Sequence, residues 1–461
     1  MVESYWLKLK IQLLFLQKIS KDFSEEYRDH QSKVLKVLQI HIQTALSLVK
    51  RTTSGVDDDR WFKNLRRVKY AVFVKGDLNK VVANLGEWSR AYDISWYLII
   101  QIRSSDIDKA LETVQADSKD PLSTMKSLRT AFQANLDSNL VGGEGSDTVF
   151  LDGNVFHGSR YAIEGSRMEI WHDTDGTTQY LMGEPTNLTT DIDARNLAKI
   201  LRHIDPSVFS IPRCTGLVRS VGDVQKEFRA TRFVFEIPGH LGNPQHLRTV
   251  CDSNIYSLDD RFALAKQLAR AVMFVHSCGL VHKNIRPETV LTFQNQDSKE
   301  LCAFLTGFEN FRSVMGRTLY KGDDEWQKNL YRHPTRQGVK PEWEYCMQHD
   351  IYSLGVCLLE LGLMTSFVLQ DAKNNKLVPN PMVASITDAT IKDNRKRGFE
   401  CQRVLVKLAQ GSLPQKMGRR YAEMVVTCLT CLDKTNNDFG AEKEFQDENG
   451  IVVGVRYIEK V

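Results

Sequence analysis

Apolar residues recur at steps of three and four through the first 140 residues, which only Pro121 interrupts. This spacing is the period of an amphipathic helix, so it predicts a helical bundle and not a sheet. The predicted helices carry these apolar stripes: Ala71, Val74, Leu78, Val81, Leu85 and Trp88; Val34, Leu38, Ile42, Ala45 and Val49; and Met125, Leu128 and Phe132. The apolar residues of the opening segment, 5–16, surround the helix widely. We therefore interpret it as a core helix, in preference to a helix on a membrane surface.

The pattern changes after a glycine-rich stretch at residues 139–147, which we interpret as a linker. The residues after it alternate between apolar and polar, as strands do. The expected strands are 148–151, 167–171, 178–182 and 232–236, and the expected helices are 190–204 and 258–278. The chain is thus predicted to be α+β, with a helical bundle at 1–138, a mixed domain at 148–435 and a tail at 436–461.

The composition excludes several classes of protein but does not by itself indicate a function. Of 461 residues, 42% are hydrophobic and 26% are charged, which is typical of packed globular proteins, and the length favours two domains. The net charge of +4 is too small to indicate a nucleic-acid partner. No stretch approaches about 18 uninterrupted apolar residues. The nine cysteines lie at or beyond Cys214 without a regular framework, which favours free thiols and a cytoplasmic protein.

Candidate chemistry centres on the segment Leu280-Val281-His282-Lys283-Asn284-Ile285-Arg286-Pro287-Glu288-Thr289-Val290-Leu291. It resembles the catalytic loop of protein kinases, in which His-Arg-Asp precedes a metal-binding Asn. A second motif, Asp350-Ile351-Tyr352-Ser353-Leu354-Gly355-Val356, is similar to the kinase helix that braces this loop. The resemblance implies a two-lobed fold, with a small lobe at about 148–238 and a large lobe at about 239–435.

Kinase chemistry depends on positioned charges, and several of them are replaced. Asn284 stands where the catalytic base is expected, Thr289 where an Asn would bind magnesium, and Gly307 where the metal-binding Asp of Asp-Phe-Gly belongs. Glu184 lies where the resemblance places the Lys that pairs with phosphate, and the helix at 190–204 has no Glu to partner it. The remaining positions that the resemblance singles out are Arg286 in the loop, Glu236 at the hinge between the lobes, and His282 and Asp350 as structural residues.

These replacements predict a pseudokinase, which keeps the kinase scaffold without its catalysis. No cofactor would be required, ATP binding would be weak, and neither magnesium nor another metal is expected. The alternative is a divergent active Ser/Thr kinase that binds metal through Glu288, Glu309 or Asp297, of which Glu309 is the best candidate. We favour a solvated role for Glu309. Cys428 and Cys431 form a lone Cys-x-x-Cys, which we interpret as one buried helix face and not a zinc site.

A second resemblance covers about residues 1–135. The run Trp61-Phe62-Lys63-Asn64-Leu65-Arg66-Arg67-Val68-Lys69-Tyr70-Ala71, followed by Lys80-Val81-Val82-Ala83-Asn84-Leu85, resembles the HeLo-type helical domain of fungal prion-inhibition and propagation proteins. The first helices of that family are not matched, so we expect a truncated module. The resemblance implies a signalling protein whose bundle and kinase-like lobes bind other proteins. A membrane-active cell-death effector is the less favoured alternative.

Overall fold

The computed structural model describes most of the chain: residues 2–53, 84–85, 88, 92–93, 95–102, 104–112, 114, 121–137, 149–152, 159–172, 178–183, 185–186, 191–219, 231–253, 255–313, 322–341, 343–371, 373–374, 376–436 and 438–439. It divides into two compact units, residues 1–123 and 124–461. The predicted linker at 139–147 lies outside the described residues, so that boundary stays a prediction. The same holds for most of the stripe from Ala71 to Trp88 and for the tail from 440 onwards.

The described elements of the first unit are helical, as its periodicity predicts. They are α1 (Val2–Ile19), α2 (Glu25–Thr53), α3 (Ser105–Glu112) and the start of α4 (Pro121–Asp137). The helix predicted after Pro121 is confirmed as α4. The stripe from Val34 to Val49 lies on α2, which begins nine residues before it, at Glu25.

Polar contacts join α1 and α2 to the segment around residues 88–96. Nζ of Lys8 lies 2.8 Å from the Asp93 carboxylate, and the indole nitrogen of Trp88 donates to the carbonyl of Val34 at 2.7 Å. The α1 helix buries Phe15, whereas Leu7 and Leu14 on it are more than half exposed. Within the described residues, no helix is long and apolar enough to cross a membrane.

The second unit combines antiparallel sheets with helices, so the α+β class is confirmed. Its largest sheet has five strands in the order β1-β2-β3-β5-β4. The strands are β1 (Arg160–Ala162), β2 (Glu169–His172), β3 (Gln179–Met182), β4 (Cys214–Arg219) and β5 (Thr231–Ile237). The strand expected at 148–151 is wrong for the described residues, because Phe150 makes only an isolated bridge to Leu217. The helices expected at 190–204 and 258–278 are confirmed as α5 (Asp191–Arg202) and α8 (Leu258–Ser277).

Among the described residues, helices dominate the rest of the second unit, with three small antiparallel sheets between them. The remaining helices are α6 (Pro206–Phe209), α7 (Leu247–Ser253), α9 (Trp326–Asn329), α10 (Met347–Leu363), α11 (Asn394–Gly411), α12 (Leu413–Met417) and α13 (Arg419–Leu429). The remaining strands are β6 (Leu241–His246), β7 (Leu280–Val281), β8 (Val290–Asn295), β9 (Leu301–Leu305), β10 (Arg312–Ser313), β11 (Val368–Gln370) and β12 (Leu377–Pro379).

Helix α10 is the centre of this part. Every residue from Gln348 to Leu363 is buried, which is the pattern of a helix enclosed on all sides. Helix α13 packs closely on it at Gly355, where an added Cβ would meet Cβ of Cys428 at 2.8 Å. The buried α10 therefore gives the residues around it a rigid support.

Candidate functional site

The carboxylate of Asp350, on α10, holds the loop that follows β7. Asp350 is fully buried and accepts hydrogen bonds from the backbone N–H groups of His282 at 2.7 Å and Lys283 at 2.9 Å. The Tyr345 hydroxyl donates to it at 2.7 Å, and Nε2 of His276 lies 3.1 Å away. Burial alone would raise the pKa of Asp350, but these partners hold it below its ordinary value. The charged carboxylate thus fixes the start of the loop, where Lys283 has a φ of +67°.

His282 packs in an apolar stack. Its ring is fully buried and lies edge-on to Phe308, with centroids 4.7 Å apart. Phe308 also lies 6.2 Å from Phe235 and 6.4 Å from Phe233, both on β5. Burial lowers the pKa of His282 to about 4, so the ring is neutral near pH 7. The stack connects the five-stranded sheet to the loop.

Asn284 is half-buried and lies at the centre of a polar network. Its side-chain nitrogen donates to Oε1 of Glu309 at 2.8 Å and to the carbonyl of Gly307 at 3.3 Å. Its side-chain oxygen accepts from Nε of Arg286 at 3.0 Å. Arg286 and Glu309 are 7% and 6% exposed. The amide therefore bridges a buried cation and a buried carboxylate, a position in which its donor and its acceptor are both used.

Thr289 closes the loop through its own polar atoms. Its hydroxyl lies 2.7 Å from the carbonyl of Asn284 and 2.9 Å from that of Arg286, and it accepts from the Arg286 N–H at 3.2 Å. Thr306 donates to the Thr289 carbonyl through its N–H and its hydroxyl, both at 2.8 Å. Gly307 has a φ of +85°, and a Cβ there would lie 2.6 Å from Cγ2 of Thr289. The two positions are packed together with no space for a further side chain.

The three substitute carboxylates occupy different surroundings. Glu288 forms a largely buried ion pair with Arg248, and Asp297 is exposed in the turn between β8 and β9. Glu309 is buried and bonded to Asn284, so the solvated role expected for it is wrong. Its burial follows from the turn at Gly307, which directs the segment after β9 inward. Among the described residues, no group of three or more His, Cys, Asp or Glu side chains could hold a metal ion.

The remaining predicted positions lie away from this network or outside the described residues. Glu236 is exposed on β5, where its N–H donates to the carbonyl of Arg213 at 3.0 Å. Glu184 lies outside the described residues. The predicted roles of Glu184 and Glu236 stay predictions.

Two largely buried groups near the loop were not found from the sequence. Arg248 on α7 binds Glu288, and Glu360 on α10 accepts hydrogen bonds from the Tyr331 hydroxyl at 3.0 Å. Burial raises the pKa of Glu360 to about 8. The position of Glu360 within the apolar run of α10 could have predicted a buried carboxyl, which must have hydrogen-bond partners. Arg248 gave no signal, because a single Arg at the start of a short helix is ordinary.

The chain is similar to two serine/threonine protein kinases. It is 22% identical over 267 residues to serine/threonine-protein kinase pim-2 of Danio rerio, covering 56% of this chain and 74% of that protein. It is 22% identical over 111 residues to probable serine/threonine-protein kinase gdt9 of Dictyostelium discoideum, covering 22% of this chain and only 6% of that protein. No family model matches the chain. This distant similarity supports a protein-kinase-like domain.

Proposed function

We propose that residues 148–435 form a two-lobed kinase-like domain that has lost phosphoryl transfer and acts as a scaffold or switch in signalling. The observation that carries this proposal is the bond between Asn284 and Glu309. A kinase base must accept a proton from the substrate hydroxyl, and an amide has no basic oxygen for it. Here the amide nitrogen is also directed at a carboxylate, so the position serves structure.

The metal chemistry of a kinase does not fit these residues either. Magnesium prefers carboxylate and carbonyl oxygens, and kinases place such ligands after the catalytic loop and in Asp-Phe-Gly. The Thr289 hydroxyl is bonded within its own loop, and Gly307 has no side chain. We therefore propose that no metal is required and that ATP, if it binds, binds weakly.

The retained structure supports a binding role. Asp350 fixes the loop, and Phe308 packs between His282 and the aromatic residues of β5. Both features keep the parts of a kinase-like domain in register without serving the transfer of phosphate. A rigid domain of this kind presents surfaces to other proteins, which is the role we assign to it.

A phosphate-transfer assay tests the proposal. Purified full-length protein is incubated with radiolabelled ATP, a general protein substrate, and magnesium or manganese. We expect no more label in the substrate than heat-inactivated protein transfers. Robust transfer that Glu309→Ala abolishes would overturn the proposal. The control variant Asp297→Ala removes an exposed carboxylate and must leave any signal unchanged.

The alternative of a divergent active kinase has one observation in its favour, the buried position of Glu309 beside the loop. A carboxylate there is a potential metal ligand. Thermal unfolding with ATP, with and without magnesium, separates the two functions. A magnesium-dependent rise in Tm that Glu309→Gln removes would favour the enzyme. The Gln variant keeps an acceptor for Asn284, so it tests the charge and not the packing.

The N-terminal helical unit is proposed as a HeLo-like module that binds proteins, not nucleic acid, in the cytoplasm. The helical character of α1 to α3 supports it. Membrane activity is the less favoured hypothesis.

Liposome leakage and protein binding distinguish the two. Dye leakage from anionic liposomes at micromolar full-length protein would support membrane activity. The absence of leakage, together with binding to a protein partner that is weakened by substituting the exposed Leu7 and Leu14, would support the module.

A further inference from the structure

A second group of reactive side chains lies at the start of α10, apart from the Asn284 network. Sγ of Cys346 is 3.1 Å from Nδ1 of His349, one turn along the helix. Of the nine cysteines, only Cys302 and Cys346 are partly exposed, and the other seven are buried. Cys346 therefore combines access to solvent with an imidazole neighbour.

The hydrogen bonds around His349 fix which ring nitrogen can accept a proton. Nδ1 accepts the backbone N–H of Cys346 at 2.9 Å, so this nitrogen carries no hydrogen. Nε2 then holds the ring proton and donates to the Thr335 hydroxyl at 3.1 Å, which in turn donates to Nδ1 of His333 at 2.8 Å. Burial lowers the pKa of His349 well below 6.5, so the ring is neutral. The thiol thus lies beside a neutral imidazole whose tautomer the Cys346 N–H and Thr335 fix.

Two arginines, Arg312 and Arg336, interact electrostatically with the same thiol. Burial lowers the pKa values of Arg312 and Arg336, and negative charge on Cys346 acts on both in the opposite direction. Arg336 is 5% exposed, and its Nε has no hydrogen-bond partner among the described residues. Nearby cations favour the thiolate over the thiol.

Two carboxylates and a second thiol also lie near Cys346. Glu344 is exposed and acts on Arg312, and Asp350 is already bonded to the loop. Cys431 is a fully buried thiol whose Sγ donates to the carbonyl of Gln348 at 3.0 Å. Arg312 and Arg336 are thus the groups here that favour the thiolate of Cys346.

We propose that Cys346 is a redox-sensitive site that hydrogen peroxide oxidises to a sulfenic acid. The thiol proton leaves to water as the sulfur attacks one peroxide oxygen. The O–O bond breaks, and its electron pair leaves with the second oxygen, which takes the proton and departs as water. Sulfur loses two electrons and peroxide gains two.

Cys302 is an internal control in the same molecule. It is also partly exposed, on β9, but burial and the neighbouring Glu300 raise the pKa of its thiol. A raised pKa removes thiolate, which is the reacting form. Exposure alone would let both cysteines react at similar rates, whereas the proposed site makes them differ.

The experiment treats native full-length protein with hydrogen peroxide and a cyclic 1,3-dione that traps sulfenic acid. Tandem mass spectrometry then measures the adduct at Cys346 and Cys302 over time. Near pH 7 we expect Cys346 to react severalfold faster, because the thiolate is the reacting form and the pKa of Cys302 is raised. Equal rates, a faster Cys302, or an adduct only after denaturation would overturn the proposal.

Substitutions at Arg336 test the cause. Arg336→Met removes the charge and should slow Cys346 severalfold without changing Cys302, whereas Arg336→Lys should keep most of the rate. Circular dichroism and the Cys302 rate report whether the Met variant is folded. If it is unfolded, the comparison of the two cysteines in the wild-type protein still decides. If the folded Met variant reacts at the wild-type rate, the assigned role of the cations is wrong.

Discussion

The side-chain amide of Asn284 donates a hydrogen bond of 2.8 Å to the buried carboxylate of Glu309. The two residues are 25 positions apart, on the loop after β7 and the turn after β9. The amide is the polar group of its size that can donate to this carboxylate and accept from Arg286 at once. The pair is thus mutually dependent, and changing one partner alone should be costly.

Asn284→Asp should lower the free energy of unfolding by about 2 kcal/mol or more, since it leaves the Glu309 acceptor unmatched and places two carboxylates together. Urea denaturation at pH 8 measures it. At pH 5 the loss should be smaller, because protonation of one carboxyl relieves the repulsion. The double variant Asn284→Asp with Glu309→Gln should recover most of the stability. A single variant as stable as the wild type would contradict the pairing.

Asp350→Asn should cost about 2–4 kcal/mol, because charge-assisted bonds to the His282 and Lys283 N–H groups are lost or weakened. The pKa of Asp350 is lowered in the folded state. Its contribution is therefore present above the unfolded pKa, near 3.8, and is lost as the pH falls through the lower folded pKa. Chemical denaturation at pH 7 and pH 3 tests this.

The control for that experiment is Asp297→Asn, an exposed carboxylate in the turn between β8 and β9. We expect it to change stability by less than about 0.5 kcal/mol. If Asp350→Asn and Asp297→Asn lower the free energy of unfolding by the same amount, the role of Asp350 in holding the loop is not supported.

Phe308→Ala should destabilise the second unit by about 3–5 kcal/mol, because it leaves a cavity between His282 and the aromatic residues of β5. Denaturant unfolding provides the value. Leu377→Ala, at a position 41% exposed, is the matched truncation and should cost little. A loss for Phe308→Ala below about 1 kcal/mol would show that the stack does not join the sheet to the loop.

His282→Phe should weaken the dependence of stability on pH. Burial lowers the pKa of His282 to about 4 in the folded state from 6.5, so the unfolded chain binds more protons between these values. Proton uptake by His282 in the unfolded chain therefore lowers the free energy of unfolding as the pH falls from 6.5 to 4. The Phe variant keeps the ring contact with Phe308 and the backbone bond to Asp350. Its loss of stability between pH 7 and pH 5 should be smaller than that of the wild type.

The exposed His240→Gln is the control for the pH series and should keep the wild-type slope. Urea midpoints at pH 5, 6 and 7 give the comparison. Identical slopes for the wild type and His282→Phe would mean that the ring of His282 is charged or solvated in the folded protein.

The sequence by itself determined where the regular elements lie. The three-to-four spacing at 258–278 and 190–204 and the alternation at 178–182 report local geometry, so α8, α5 and β3 were found to within a few residues. The strand predicted at 148–151 was wrong because alternation is also only a local pattern. A short alternating run becomes a strand only when a neighbouring strand pairs with it along its whole length.

Only the tertiary structure decided how the polar residues are satisfied. Glu309 looked solvated because nothing in its local pattern indicates burial, yet the turn at Gly307 brings it to Asn284. Asp350 reaches the N–H groups of residues 67 and 68 positions earlier, and Thr335 joins His333 to His349. Apolar periodicity is a property of neighbours along the chain, whereas a buried charge is stable only with partners that the fold brings from elsewhere.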